Sequence, residues 1–372
     1  MSDITFNHKI HPVTVISGND NAQPIPVDDM WKLGSLNVDG KAVLGPMSGF
    51  TSSGYRDFMK PFGVALSYTV MTSDLGIIHN HEKTNEYVHF GDNHPTGVQL
   101  YGSDPETISK AATIAMELNP DIDFFDVNMG CPVPKIIRTN SGSALMREPK
   151  KCGDIIRAIK SKVDVPVSAK IRLGWSLNEM NFRDVIDELQ SADVDAICVH
   201  PRTRSEAYSG SPHYDLIEGL QDEMSVPLIV SGNIYLLEDA ISAMRTSRAT
   251  AVMVARGGVG NPYLVTQIDR YFRTGERLAN PKISQQVDWC LELADFMIKE
   301  KGYEEAMRKF RIYAPKFIAG CHKCRSYRYD LAVKSKDMES LKEILYDIRD
   351  KMGDMRINTY GRIDQDEPPH SS

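Results

Sequence analysis

The sequence predicts an α/β protein, a (β/α)8 TIM barrel followed by a small all-helical C-terminal domain. Three observations predict it. Between Lys41 and about Arg270, eight short β-rich runs alternate with amphipathic stretches. Several of those runs are almost continuously apolar, as strands buried on both faces are. After Asn280-Pro281 the strand signal stops and only helical periodicity remains. Eight βα units in about 230 residues match the size of such a barrel. A doubly wound open sheet is the alternative, but its G-x-G-x-x-G fingerprint is missing, since the first run ends Gly45-Pro46-Met47-Ser48-Gly49.

Taken in order, the strands are 42–46, 64–70, 97–101, 124–128, 167–171, 196–200, 228–231 and 251–255. The helices between them are expected at 105–118, 150–162, 182–192, 236–244 and 263–272, the first capped by Ser103 and Asp104. Three amphipathic helices, 284–301, 304–318 and 335–352, form the C-terminal domain. The expected domains are therefore an N-terminal extension (1–34), the barrel (35–280), the helical domain (281–355) and a disordered tail (356–372).

Composition restricts the class. The chain has 372 residues, 41% hydrophobic and 25% charged, which suits a globular protein with a large core. No apolar run is long enough to span a bilayer, and the polar stretch Met1–Asn21 lacks a signal-peptide pattern. Six cysteines in a chain this size do not form a disulfide framework, so a reduced, cytoplasmic protein is expected. No metal site is expected either. Cys321-His322-Lys323-Cys324 is a lone C-x-x-C without a second pair, and His79, His81, His89 and His94 share one loop without ligand spacing.

The net charge of -7 argues against nucleic acid, but its distribution does not. Residues 301–336 hold ten Lys/Arg against Glu304, Glu305 and Asp330, with Tyr303, Phe310, Tyr313, Phe317, Tyr327 and Tyr329 interleaved. A basic, aromatic-laced segment on an acidic protein reads as a phosphate-binding surface, Arg325 and Arg328 included, or as a solvated helix face with a core side.

The chemistry sits at strand ends. Asn128-Met129-Gly130-Cys131-Pro132 puts a thiol in a small turn at the carboxyl end of the fourth strand, where barrels do their chemistry. Cys131 is a candidate proton donor or nucleophile, or merely a small apolar residue. The next two strands supply Lys170 and His200, and the third supplies Gln99. A lysine inside Val-Ser-Ala-Lys-Ile-Arg-Leu is costly without a counter-charge, which a ligand would supply. Strands seven and eight end in Ser231-Gly232-Asn233 and Ala255-Arg256-Gly257, the places where barrels hold phosphate. Together these describe FMN over the barrel mouth. Its phosphate would lie at strands seven and eight, Gln99 and Lys170 would meet its pyrimidine edge, and Pro46-Met47-Ser48 would form a shelf.

These residues carry a resemblance. The segments 44–51, 98–105, 126–135, 141–146, 170–175, 200–204 and 253–262 are similar to those of the tRNA-dihydrouridine synthases, most like the bacterial B-type branch. Asn-Met-Gly-Cys-Pro with His-x-Arg-Thr-Arg is the most specific pair, and the likeness runs from about 35 to 350. Departures lie at Gly45, Pro201, Ala255, Val70 and the 231–233 turn. The resemblance implies FMN-dependent reduction of the uridine C5=C6 bond in tRNA, with NADPH or NADH as reductant. Hydride would pass from flavin N5 to C6, and Cys131 would protonate C5. Asn128, Arg202, Arg204, Arg325 and Arg328 are the implied contacts to tRNA, with no membrane or protein partner implied. Two other readings stand beside it. One is a dihydroorotate dehydrogenase-like enzyme on a free pyrimidine, for which the basic domain has no use. The other is a non-catalytic tRNA-binding protein, for which Cys131 and Lys170 have none.

Overall fold

The computed structural model describes residues 14–16, 30–91, 93–322 and 324–358. Eight strands form the barrel: β1 Ala42–Leu44, β2 Leu66–Tyr68, β3 Thr96–Tyr101, β4 Phe124–Asn128, β5 Val167–Arg172, β6 Ala196–His200, β7 Leu228–Ser231 and β8 Ala251–Val254. Each pairs in parallel with the next, and β8 pairs with β1, so the sheet closes. Closure leaves no unpaired edge and sends every carboxyl end to one mouth. The expected strands agree with these to within two residues at either end.

Alternation along the strands divides the core. Val43, Leu66, Tyr68, Phe124, Ala196, Cys198, Ile229, Ala251 and Met253 fill the barrel interior, while a larger apolar cluster lies between the strands and the outer helices. The interior is closed at its amino end by a hairpin, Met30–Leu33 paired with Leu36–Asp39, which buries Trp31, Leu33 and Val38 against it. The expected extension 1–34 is corrected here: its last residues are the barrel floor. Burial alternates along Met30–Leu33, the period of a half-buried strand. Val15–Ile16 also pairs with Arg277–Leu278. Residues 1–13 and 17–29 lie outside the described residues.

The outer helices are α1 Ser53–Met59, α2 Asp74–Ile78, α3 Pro105–Leu118, α4 Pro149–Lys160, α5 Phe182–Ser191, α6 Leu237–Ser247 and α7 Tyr263–Thr274. Between β6 and β7 stand two 3-10 turns, Tyr214–Ile217 and Leu220–Glu223, instead of an α-helix.

The C-terminal helices are α8 Ile283–Lys301, α9 Tyr303–Phe310, α10 Ala314–Phe317, α11 Cys324–Val333 and α12 Met338–Met352. The expected helix 304–318 is thus broken. Pro315 has no N–H to donate and stands in the first turn of α10, a position where proline is tolerated. Helix α11 is absent from the expected elements because only Cys324 and Leu331 of it are buried, which leaves no periodic apolar stripe. The expected tail also begins too early. Arg356 bridges to Lys282, and Ile357 is buried, while residues 359–372 lie outside the described residues.

These helices are seated on the barrel beside the β1 loop. Phe58 of α1 packs with Phe296 and Phe317, and Phe62 with Trp289. Helix α8 comes so close to α1 that a Cβ on Gly54 would lie 2.9 Å from the Phe296 carbonyl oxygen. Glu300 accepts from Ser52 Oγ at 2.7 Å and Gly54 N at 3.1 Å, capping α1. The Tyr313 hydroxyl reaches the carbonyls of Gly49 and Phe50, at 3.0 and 2.9 Å. Among the described residues, no helix is long and apolar enough to cross a membrane.

Candidate active site

A cavity of about 330 Å³ opens at the carboxyl ends of the strands. The loop after β1 contributes Pro46, Met47 and Ser48, and β3 contributes Gln99. The β4 end contributes Asn128 and Cys131, β5 Lys170 and β6 His200. The last two turns contribute Ser231, Gly232, Asn233, Ala255 and Arg256. Closure brings together residues up to about 210 positions apart, because every strand of the barrel ends at one mouth.

The thiol turn is held from three sides. Asn128 Oδ1 accepts from the backbone N–H of Gly130 at 3.2 Å and of Cys131 at 2.9 Å. Cys131 O accepts from Ser143 N at 3.1 Å and Ser143 Oγ at 2.9 Å. Arg172 Nε donates to Gly130 O at 2.7 Å. The Cys131 side chain is half-buried, and burial raises its thiol pKa despite the Val133 N–H, Arg172 and Lys170, which act the other way. The sulfur is therefore held as SH at neutral pH, the form that can give a proton.

Beneath it, polar groups run through the barrel. Asn128 Nδ2 donates to Gln99 Oε1 at 2.9 Å, and Gln99 Nε2 donates to Asp126 Oδ2 at 2.7 Å. Ser168 Oγ donates to Asp126 Oδ1 at 2.6 Å. Gln99, Asp126 and Ser168 stand at one register level on β3, β4 and β5. Asp126 is wholly buried. Burial raises its pKa to about 6, against the hydrogen bonds from Ser168 and Gln99 and the charge of Lys170. The sequence reading missed Asp126 by treating Phe124–Val127 as an apolar run. Its signal was parity, because Asp126 shares the inward face with Asn128. Arg172 was missed in the same way, two positions beyond Lys170.

His200 is buried and its pKa is pushed well below the usual histidine range, first by burial and then by Arg172, Lys170, Arg202 and Arg256. It is a neutral imidazole. Arg202 Nη1 lies 3.1 Å from His200 Nε2, and a guanidinium can only donate, so Nε2 accepts and Nδ1 carries the proton. Arg202 also donates to Ser209 O at 3.1 Å, to Gly210 O and to Asn233 Oδ1 at 3.2 Å, and has 0% of its surface exposed. This corrects the expectation of an RNA contact at Arg202. Its donors are committed within the protein, and its place is behind His200 and Asn233. Asn128 is similarly committed: it lines the cavity, but its amide holds the turn and Gln99. Arg204 is half-buried over the Trp175 ring. Arg325, exposed, and Arg328, half-buried, lie on α11, away from the cavity.

The last two turns form a cradle with little room. A Cβ on Gly257 would lie 1.9 Å from Ile234 O, and one on Gly232, whose φ is +121°, would lie 2.9 Å from His200 Cδ2. Only glycine permits this approach of backbone to neighbour. Arg256 Nη2 donates to Asn233 Oδ1 at 3.3 Å and stands over the rings of Tyr208 and Tyr235. Lys170, Arg172, Arg202 and Arg256 thus surround one neutral histidine, a concentration of positive charge that suits an anion. Met47, Phe50, Met71, Ile234 and Met253 give the cavity its apolar surface. A backbone cradle, an arginine, a polar amide edge and apolar walls fit a phosphorylated ring such as FMN.

Comparison with known proteins agrees in kind. Residues 43–352 match the family model described as Dihydrouridine synthase (Dus). The chain is 34% identical over 265 residues to a probable tRNA-dihydrouridine synthase of Rickettsia conorii, covering 71% of this chain and 80% of that one. It is 30% identical over 298 residues to tRNA-dihydrouridine synthase B of Pseudomonas aeruginosa, covering 80% and 89%. Among solved structures, histamine dehydrogenase from Rhizobium sp. 4-9 matches with a TM-score of 0.47 and 12% identity, over 66% of this chain and 48% of that one, a likeness too distant to bear on chemistry.

Proposed function

The chain belongs to the dihydrouridine synthase family, and from that premise we propose that it reduces the C5=C6 bond of uridine in tRNA with FMN as its resident cofactor and NADPH or NADH as the reductant. When bound, the flavin supplies the hydride. The observation that carries the reading is Cys131, a protonated thiol in a turn held by Asn128, Ser143 and Arg172 at the edge of a cationic, FMN-sized cavity.

The residues divide the work. Ser231, Gly232, Asn233, Ala255 and Arg256 hold the phosphate. Pro46, Met47 and Ser48 support the ring. Gln99, oriented by Asp126 and Asn128, faces the pyrimidine edge, and Lys170 offsets the negative charge that reduction places there. His200, neutral with its proton on Nδ1, offers a hydrogen-bond donor without adding charge. Cys131 then gives its proton to uracil C5, where electron density collects once C6 is reduced. A uridine must leave its stack to reach a barrel mouth, and helix α11 with Arg325 and Arg328 holds the rest of the tRNA, in the cytoplasm. The barrel does the chemistry, and the helical domain holds RNA.

Purified protein should be yellow with one FMN per chain, and tRNA lacking dihydrouridine should gain it in the presence of NADPH. Protein that takes up no FMN, or that acts on free uracil or dihydroorotate and not on tRNA, would overturn the reading.

A further inference from the structure

Two arginines share one indole in the loops that follow the carboxyl ends of β4, β5 and β6. Trp175 lies in a short hairpin after β5, Gly174–Ser176 paired with Glu179–Met180. Arg147 Cζ stands 4.8 Å from its ring centroid and Arg204 Cζ 4.6 Å. Arg147 is exposed and Arg204 half-buried. Among the described residues neither forms an ion pair, although exposed arginines elsewhere on this surface, such as Arg157, Arg183 and Arg248, do. Arg204 Nε is buried without a hydrogen-bond partner.

The arrangement is built on rigid backbone. Arg204 N donates to Gly174 O at 2.9 Å, and Ser205 donates to Trp175 O from its N–H at 3.0 Å and from Oγ at 2.9 Å. The hairpin needs its glycine: at φ +148°, a Cβ on Gly174 would lie 2.3 Å from Glu179 O. Arg147 ends the 3-10 turn Gly142–Arg147, whose Ser143 holds the Cys131 carbonyl. The loops after β4, β5 and β6 thus carry the pair, and one of them is tied to the thiol turn. The loop after β4 also carries Lys135 and Arg138, both exposed and, among the described residues, without ion pairs. The acids of these loops are Glu148, paired with Lys151, Glu206, bound to Thr203 and His213, and the exposed Glu179.

We propose that Arg147 and Arg204, stacked on Trp175, form a clamp for RNA backbone phosphate beside the uridine that enters the cavity. This rests on the tRNA reading above. Stacking on an indole shields the faces of a guanidinium and leaves its N–H edge for a bidentate contact with phosphate oxygen. Two such groups held on one ring lose little side-chain freedom on binding. The α8–α12 helices pack beside the β1 loop, and this clamp belongs to the β4–β6 loops, so the RNA is gripped on both sides of the mouth.

The test is the affinity of FMN-loaded protein for tRNA lacking dihydrouridine, measured across a salt series for wild type, Arg147→Gln, Arg204→Gln and the pair. Each neutralised phosphate contributes roughly 0.7 to 0.9 to the log–log slope. Each single variant should lose about that much, and the pair about twice as much. Arg147→Lys, which keeps the charge, should restore most of the slope. Thermal unfolding checks folding, and the exposed Arg147 keeps the idea testable if Arg204→Gln does not fold. Unchanged slopes in folded variants would reduce the stack to a staple for the hairpin and overturn the proposal. Wild-type protein with no salt-dependent tRNA binding would instead overturn the tRNA reading itself.

Discussion

Gln99 on β3 donates its Nε2 hydrogen to Asp126 Oδ2 on β4 at 2.7 Å, inside the barrel and directly beneath the mouth. A wholly buried carboxylate thus fixes which end of the Gln99 amide faces down. The carboxylate is itself held at a cost, since burial moves it from 3.8 to about 6.

That cost has a sign. The folded state binds the Asp126 proton more tightly than the unfolded chain does, so stability falls as pH rises from 3.8 to about 6 and stays lower above that. Such a shift corresponds to at most roughly 3 kcal/mol. Asp126→Asn keeps an acceptor for Gln99 and gains a donor for Ser168 Oγ. It should therefore raise the stability of the flavin-free protein at pH 8 by 1–3 kcal/mol in order of magnitude, with the advantage gone below pH 4. Denaturant titrations at both pH values decide it, and a variant less stable than wild type at pH 8 would mean that the charge itself stabilises the barrel.

Cys131→Ala should leave FMN and tRNA binding intact, keep flavin reduction by NADPH near normal, and lower dihydrouridine formation by about 100-fold or more, the usual contribution of a positioned acid. Because burial raises the thiol pKa, wild-type turnover should be flat through neutral pH and fall only above the ordinary thiol value of 9.0. Stopped-flow reduction and tRNA-driven re-oxidation, followed separately, check the assignment. Loss of the reductive step with fast re-oxidation would contradict it.

Arg202→Leu should destabilise the protein by about 3 kcal/mol or more, because His200, Asn233 and the carbonyls of Ser209 and Gly210 each lose a buried donor. FMN affinity should drop with it, since His200 is then free to change tautomer. The salt slope of tRNA binding by the loaded variant should not change. A slope lower by roughly 0.7 to 0.9 would return Arg202 to the RNA surface.

On helix α11, Arg325→Glu with Arg328→Glu should weaken tRNA binding and flatten its dependence on salt. The protein carries 50 Asp/Glu against 43 Lys/Arg, so its attraction for RNA must be local. The exposed Tyr329 extends the same face, four residues beyond Arg325. Unchanged affinity across the series would place the RNA surface on the barrel loops alone.

Much of this is legible in the sequence. Strands buried on both faces announce themselves as short apolar runs, and a thiol, a lysine and a histidine at the ends of such runs converge wherever the strands close into a barrel. Local composition carries that information because strand formation and strand-end placement are local events. The hairpin at 30–39 and helix α11 were less legible. The first is too short to stand out until the barrel interior gives Trp31, Leu33 and Val38 somewhere to pack, and the second is mostly solvent-facing.

By itself, then, the sequence determined the order of the βα units, the Cys131 turn, the glycine-rich turns after β7 and β8, and the basic segment over 301–336. Tertiary structure alone decided the charges and their use. Arg202 and Arg204 are two residues apart on one loop, yet the first is buried behind His200 and the second stands over Trp175. Asp126 reads as one acid within an apolar strand until closure sets it between Gln99 and Ser168. The physical reason is that a side chain's role follows from its burial and its partners, and both are set by residues far away in the chain, which only the closed barrel brings within hydrogen-bond reach.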